Sequence, residues 1–197
     1  MIDLKKVTHK DLEKILEIEN INFPAENQAS YETIESRFNI YPGLTLLQED
    51  EKPIGYISYG LLKSSYIEGF SNKPELLIPD TELLHKNEVD ELDYFAIISI
   101  AINRESRSKT INLEEKQLSY CRLLIAHALT EGRDIGLRKT SVLCESHKTI
   151  SLFSKLDFKS KYNSTLQGLP LVLFVNSFDN LKIQNLIRTF EKLSIGP

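Results

Sequence analysis

The sequence predicts an α/β chain of the α+β kind, in which a central mixed, twisted sheet carries helices on both faces. Three observations support this fold class. Residues 94–102, YFAIISIAI, are almost uniformly apolar, as in a central strand covered on both faces. Segments with helical periodicity alternate along the chain with segments typical of strands. The chain has 197 residues, of which 41% are apolar, enough for one sizeable core.

The first half of the chain is predicted to form a strand, two helices and a hairpin. IDLKKVT has the alternation of a strand, and Thr8 then caps a helix with Asp11 as its capping-box partner. A second helix follows FPAENQAS and ends at YPG. LTLLQE and IGYISYGLL flank the turn DEKP and therefore predict a hairpin. Residues 65–93 lack a sustained period, so we expect a long loop with one short helical turn.

The second half is predicted to alternate helices with strands. The central strand at 94–102 leads into a helix whose apolar stripe ends at Gly132 and Gly136. KTSVLC is a short strand, and Ser146 caps the helix after it. DFKSKY and LPLVLFVNSF are two closing strands, and Asp179 is expected to cap a last amphipathic helix.

The charge of the chain argues against two classes of partner. A net charge of -4 disfavours a dedicated surface for nucleic acid or for an anionic membrane, because both depend on clustered positive charge. No apolar run approaches the ~20 residues that span a bilayer, and the N-terminus lacks the apolar core of a signal peptide. We therefore predict a cytoplasmic protein.

No metal site is predicted from the residues that commonly bind metals. Cys121 and Cys144 lack metal-ligand spacing, and two cysteines do not make a disulfide framework. The histidines are scattered and form no HExxH pattern.

The length predicts one domain with an appendage. Residues 1–178 are expected to form the domain, and residues 179–197 a C-terminal helical extension. The apolar face of this extension either packs on the domain or makes a dimer contact, so monomer and homodimer both stay open.

Several segments, taken in order, resemble one known family. These segments are FPAENQASYETIESRF, LTLLQEDEKPIGYISYGLL, AIISIAIN, SVLCES, ISLFSKLDF and STLQGLPLVLF. Their order and spacing resemble the GNAT acyl-CoA N-acyltransferases, in particular the branch around arylalkylamine (serotonin) N-acetyltransferase. The resemblance identifies residues 1–178 as a GNAT-type N-acetyltransferase domain. It implies the GNAT fold, and transfer of an acetyl group from acetyl-CoA to the amine of a small molecule by direct attack.

The resemblance also implies where acetyl-CoA would bind as the co-substrate. In that family the central strand splays from its neighbour and pairs with the pantetheine arm, and the next turn holds the pyrophosphate through backbone amides. The residues implied for the pantetheine are Ile100, Ala101 and Ile102. The residues implied for the other contacts with acetyl-CoA are Arg107, Ser108, Lys109, Thr110, Ser146 and Phe153. For the pyrophosphate, residues nearer the helix start at Leu118 are the alternative to residues 107–110.

The sequence departs from the family pattern where the chemistry would lie. The glycine positions of the phosphate loop hold Thr110 and Asn112. Either this turn holds phosphate through its cations and the helix-start amides, or it is a solvated basic loop. Phe153 stands at the position of the family's tyrosine acid, and Ile98 stands where the branch often carries a histidine. The family's proton-transfer groups therefore cannot be carried over.

Three residues are candidates for catalysis. Histidine titrates in a range suited to base catalysis, which favours His147, although a histidine at a helix start is more often just solvated. Glu145 offers a carboxylate, but a carboxylate near a helix N-terminus also has a structural reason to be there. Ser99 lies beside Ile98 on the central strand.

Two functions from different classes follow. The first is an N-acetyltransferase that uses acetyl-CoA on a small-molecule amine and moves protons through water or an unusual side chain. The alternative is a catalytically degenerate protein of the same fold that acts as a ligand-binding or regulatory module.

Overall fold

The structure is a computed structural model of the chain. It describes residues 2–25, 28–72, 74, 78–107, 109–113, 116–144, 146–166 and 169–194. Among the helices of this part of the chain, none combines the length and the apolar character needed to cross a bilayer.

A mixed sheet of eight strands forms the centre of the molecule. Its strands are β1 (Ile2–Lys6), β2 (Leu44–Glu49), β3 (Lys52–Leu62), β4 (Leu83–Leu84), β5 (Tyr94–Ile102), β8 (Lys139–Cys144), β9 (Lys159–Leu166) and β10 (Leu169–Ser177). The strand order is β1-β2-β3-β5-β8-β10-β9, and the short β4 pairs beside β3. Strands β5 and β8 are parallel, and the other registered pairs are antiparallel. A separate hairpin joins β6 (Thr110–Leu113) to β7 (Lys116–Ser119).

Helices cover both faces of this sheet, as the sequence predicts. They are α1 (Leu12–Asn22), α2 (Tyr31–Ile40), α3 (Ser64–Gly69), α4 (Tyr120–Asp134), α5 (His147–Lys155) and α6 (Leu181–Ser194). Residues of α1 and α2 pack with Leu44 and Leu46 of β2, whereas residues of α4 and α6 pack with Leu47. Since side chains alternate along a strand, these helices lie on opposite faces.

The predicted cap before α1 is present. The backbone N–H and the hydroxyl of Thr8 both donate to Oδ2 of Asp11, at 3.2 and 2.8 Å. Burial raises the pKa of Asp11, but hydrogen bonds from Lys5, Thr8 and Lys14 outweigh it and hold this pKa well below its usual range. The helix therefore begins at a fixed point beside the first strand.

The expectation of a long loop at 65–93 is only partly right. This segment contains most of α3, a helical turn at Asp80–Glu82 and the short strand β4. Arg37 of α2 donates to Asp80 and to the carbonyl of Ile78, both at 2.9 Å. Each piece is too short to show periodicity, so tertiary contacts decide its conformation.

The prediction that Gly132 ends the stripe of α4 is wrong. The helix continues to Asp134, and the left-handed residue after it is Gly136, with φ of +86°. A Cβ at Gly132 would lie 2.6 Å from the ring of Phe95 and 2.7 Å from that of Phe178. This glycine lets α4 approach the sheet closely.

The cap of the last helix is Asn180, and not Asp179 as expected. Oδ1 of Asn180 accepts hydrogen bonds from the backbone N–H groups of Lys182 and Ile183, at 2.9 and 3.4 Å. The apolar face of α6 packs on α4, where the rings of Phe190 and His127 lie 5.6 Å apart. Ile183, Ile187 and Phe190 of this face are buried within the chain itself.

Candidate functional site

The central strands β5 and β8 separate halfway along their length. They pair from Tyr94 with Lys139 to Ile97 with Val142. Beyond this point, β8 continues to pair with β10 through Leu143 and Cys144. The space between residues 98–102 of β5 and the end of β8 is called the wedge below.

A β-bulge marks the point where the wedge opens. On β3 the register passes from Ser58 to Tyr59, while on β5 it passes from Ser99 to Ile97. Ile98 is therefore an extra residue on β5, and such a bulge bends the strand and redirects its polar groups. The bulge and the loss of pairing with β8 fall at the same position.

The direction of the backbone groups along β5 follows from two hydrogen bonds. The N–H of Asn103 donates to the carbonyl of Ile54 at 2.8 Å, so Asn103 and, by alternation, Ala101 point toward β3. The carbonyl of Ile102 accepts a hydrogen bond from Nε of Arg107 at 2.9 Å, on the other side of the strand. The polar groups of Ile100 therefore face the wedge, and those of Ala101 do not.

Two helices begin near the C-terminal ends of β5 and β8, where the wedge opens. Strands β5 and β8 are parallel, so their C-terminal ends lie on the same side of the sheet, and α4 and α5 follow them in the chain. Ser119 and Ser146 cap these helices by accepting from Arg122 N–H at 3.4 Å and Thr149 N–H at 3.2 Å. Helix starts of this kind carry partial positive charge and favour anions.

The β6–β7 hairpin interrupts the basic turn that the sequence predicts between β5 and α4. Thr110 pairs with Ser119 across the base of the hairpin, and the N–H of Tyr120 donates to the carbonyl of Lys109 at 3.4 Å. Asn112 lies in strand β6 instead of a phosphate turn. The hairpin thus leaves its two ends adjacent, and the turn and the helix start remain neighbours in space.

The cations of this turn bind groups of the protein itself. The guanidinium of Arg107 donates to Oδ1 of Asn22 at 2.9 Å as well as to the carbonyl of Ile102. Lys109 forms an ion pair with Glu49 at the end of β2, on the side of β5 opposite to β8. Lys109 is therefore held away from the wedge, whereas Arg107 binds a carbonyl on the side of β5 that faces the wedge.

A pocket lies between α1, α2 and the bulge. Its lining includes Glu19, Arg37, Tyr56, Tyr59, Ile98 and Ser99. The hydroxyls of Tyr56 and Ser99 lie 2.8 Å apart, and burial raises the pKa of Tyr56 well above its usual value. The interior of the pocket measures about 30 Å³, room for one or two water molecules.

Glu19 gives this pocket a buried carboxylate. The residue is 4% exposed, and its Oε1 accepts the N–H of Ala29 at 3.4 Å. Its Oε2 has no hydrogen-bond partner among the described residues. Burial raises the pKa of Glu19, while Tyr56, Ala29 and the charge of Arg37 act in the opposite direction.

Sequence reasoning missed Glu19, although the sequence carries a signal for it. Glu19 follows Ile15 by four residues and therefore lies on the inward face of α1. A charged residue in an apolar stripe is rarely buried without a partner or a function.

Comparison with known proteins rests on structure. No family model matches the sequence, and no curated protein matches it significantly. The loading GNATL domain of CurA from Lyngbya majuscula superposes with a TM-score of 0.68 at 13% identity, covering 94% of this chain and 99% of that one. A polyamine N-acetyltransferase of Drosophila melanogaster gives a TM-score of 0.63 at 11% identity, covering 90% and 100%. An Arabidopsis thaliana protein in complex with the bisubstrate analogue CoA-Ac-MVNAL gives 0.61 at 12% identity, covering 90% and 99%.

This chain has the GNAT fold. Within it, the structure places the predicted site residues in different surroundings. Ser99 lines the pocket, and the polar groups of Ile100 face the wedge. His147 is the exposed first residue of α5. Phe153 is 1% exposed and packs its ring 5.1 Å from that of Phe158.

Two predicted site residues, Ser108 and Glu145, lie outside the described part of the chain. Among the residues that are described, no cluster of three or more metal-ligating side chains is arranged to hold an ion.

Proposed function

We propose that this protein is a cytoplasmic N-acetyltransferase that moves an acetyl group from acetyl-CoA to the amine of a small molecule. One observation carries the proposal: a pocket with a buried carboxylate meets the bulge at Ile98, where β5 leaves β8. A donor in the wedge and an acceptor in the pocket would approach the bulge from different sides. Such an arrangement holds two reactants in line, which by itself accelerates direct transfer.

The wedge suits the pantetheine arm and the thioester of acetyl-CoA. The backbone of Ile100 offers it polar groups that no neighbouring strand uses, and Ala101 and Ile102 follow that residue along β5. A backbone N–H aimed at the thioester carbonyl stabilises the negative charge that develops there during attack. The pyrophosphate would lie at the starts of α4 and α5, near Ser146 and the turn of residues 107–110.

The pocket suits a small acceptor whose amino group alone reaches the bulge. Its interior of about 30 Å³ admits an amino group, and Tyr56 and Tyr59 form aromatic walls. This is compatible with the resemblance to the arylalkylamine branch. The acceptor's body would remain near the mouth, beside α2 and Leu83.

Specific observations favour the alternative, a protein of this fold that binds a ligand without catalysis. Arg107 and Lys109 are bound to groups of the protein, and Phe153 has neither a proton to give nor access to the wedge. A donor site with its cations occupied binds a pyrophosphate more weakly than one with free cations.

Calorimetry and a thiol-release assay separate the two functions. Acetyl-CoA, desulfo-CoA and ATP are titrated into wild type, and CoA release is measured with agmatine and 2-phenylethylamine. Binding of acetyl-CoA but not ATP, with amine-dependent CoA release, supports the transferase. Binding without turnover supports the module, and the absence of any binding contradicts both.

Variants locate the donor site. Arg107→Ala is expected to weaken acetyl-CoA binding about tenfold, because it removes one charge and frees the carbonyl of Ile102. The matched control is Arg138→Ala. Arg138 is exposed and lies just before the start of β8, at the end of this strand opposite to the wedge. Equal effects of the two variants would contradict this placement of the donor.

A further inference from the structure

We propose that Glu19 binds the acceptor as its ammonium ion and takes the proton that the amine must lose before attack. The inference rests on the proposed function and deepens it, because it names the substrate class as a primary amine that arrives protonated. It also assigns the role of base to a residue that is not among the sequence candidates.

The first support is the incomplete hydrogen bonding of a buried carboxylate. Glu19 is 4% exposed, Oε2 accepts no hydrogen bond within the described residues, and the hydrogen bond that Oε1 accepts from Ala29 is long. An ionised carboxylate in such a place is costly unless a cation or donor joins it. A substrate ammonium supplies both charge and N–H donors.

The second support is that no cation among the residues that the structure describes forms an ion pair with this carboxylate. Arg37 lines the same pocket, but its guanidinium donates to Asp80 and to the carbonyl of Ile78. Arg37 therefore lowers the pKa of Glu19 through its charge without forming an ion pair with it. Within the described residues, Oε2 therefore has no cationic partner.

The third support is that the aromatic side chains lining the pocket are uncharged. Besides Glu19 and Arg37, the titratable side chains that line the described pocket are tyrosines of β3 and of the segment after α2: Tyr41, Tyr56 and Tyr59. Burial raises the pKa of each of them, so they stay neutral at physiological pH. Aromatic faces around an anion attract an ammonium ion and repel no charge of its sign.

The proton transfer can be written with all atoms placed. Oε2 of Glu19 takes one proton from the ammonium, and the freed nitrogen lone pair attacks the thioester carbonyl carbon. The C–N bond forms, the C–S bond breaks, and the second nitrogen proton goes to the leaving thiolate. The products are the amide and CoA thiol, and Glu19 returns its proton to solvent.

Burial increases the basicity of the Glu19 carboxylate. Desolvation raises the pKa of Glu19 above its ordinary value, which makes its carboxylate a stronger base than an exposed glutamate. Tyr56 interacts with the carboxylate and lowers this pKa in part, and its hydroxyl also contacts Ser99 beside the bulge. We assign Tyr56 and Ser99 positioning roles.

The test compares Glu19→Gln with Glu17→Gln, an exposed glutamate on the same helix that undergoes the same chemical change. Steady-state rates with acetyl-CoA and either agmatine or 2-phenylethylamine are measured from about pH 5 to about pH 9. For Glu19→Gln, kcat is expected to fall at least ~100-fold and the acid limb of the pH profile to disappear. Glu17→Gln should behave as wild type.

Three further measurements separate the possible failures. Acetyl-CoA affinity, measured by calorimetry, is expected to be unchanged in Glu19→Gln, which shows that the variant folds and binds the donor. Glu19→Asp should keep an acid limb at a reduced rate. Tyr56→Phe should move that limb to higher pH, because a group that lowers the pKa of Glu19 is lost.

The outcomes are distinguishable. If Glu19→Gln keeps its rate within threefold and its acid limb, Glu19 is not the base, although the transferase function stands. If wild type binds acetyl-CoA but turns over neither amine, the transferase proposal fails, and this inference fails with it.

Discussion

The pocket beside α1 and the turn between β5 and α4 differ in the burial and the pairing of their charged side chains. In the pocket, Glu19 is buried and one of its oxygens has no partner in the described structure. In the turn, Arg107 and Lys109 are near the surface, and both are bound to groups of the protein. The sequence analysis expects the cations of this turn either to hold phosphate or to be solvated, and Glu19 is not among its candidate site residues.

This difference indicates which groups of the protein would supply the binding energy for each substrate. An unpaired buried carboxylate gives the acceptor side a strong electrostatic preference for a cation. The donor side would rely mainly on directed backbone groups of β5 and on the starts of α4 and α5. The predictions below change one side at a time.

The largest effect is expected from removing the backbone donor in the wedge. Ile100→Pro deletes an N–H that faces the wedge, so no hydrogen bond with β3 is lost. Acetyl-CoA binding should weaken about tenfold while the fold is kept. Calorimetry and circular dichroism measure the two quantities.

The matched control moves the proline by one residue. Ala101→Pro deletes an N–H that points to β3, so the free energy of unfolding should drop by about 3 kcal/mol. If Ile100→Pro unfolds the protein to the same extent, the assigned directions of the backbone groups are wrong.

A smaller effect, on the free energy of unfolding, is expected from replacing the carboxylate of Glu19 on the acceptor side. Burial raises the folded-state pKa of Glu19 above its ordinary value of 4.5. As the pH rises through 4.5, the unfolded chain releases this proton before the native protein does, so native stability falls until the folded pKa is passed. Below 4.5 both states hold the proton, and the penalty vanishes.

Glu19→Gln should therefore raise the free energy of unfolding near pH 7.5 and leave it unchanged near pH 4. Urea unfolding at the two pH values measures this difference, with Glu17→Gln as the control without pH dependence. A variant less stable than wild type at the higher pH would mean that the carboxylate has a structural role.

The smallest effect is expected from releasing Lys109. Glu49→Gln removes the ion-pair partner of this lysine, which then becomes available to a pyrophosphate. Acetyl-CoA affinity should rise about threefold at low salt and less at high salt, since exposed charges are screened. Calorimetry at two salt concentrations measures the gain.

A double-mutant cycle identifies the source of that gain. Lys109→Ala should change little in wild type but should cancel the gain in the Glu49→Gln background. If the gain persists without the lysine, it comes from the lost negative charge of Glu49 alone.

The sequence by itself determined the fold class and most of the helices and strands. The uniform apolar run at 94–102, the cap formed by Thr8 and Asp11, and the stripe of α4 are local patterns that bury one face or fix one end. Such patterns act over a few residues, so they can be recognised without knowing what they contact.

Tertiary structure alone decided the geometry of the candidate site. The bulge at Ile98 depends on the register between β3 and β5, and the hairpin closes through the pairing of Thr110 with Ser119. The surroundings of Glu19 come from helix α1, from Ala29 beyond its end, and from Tyr56 on β3. Burial and charge pairing are set by segments distant in sequence, so no local pattern of residues records them.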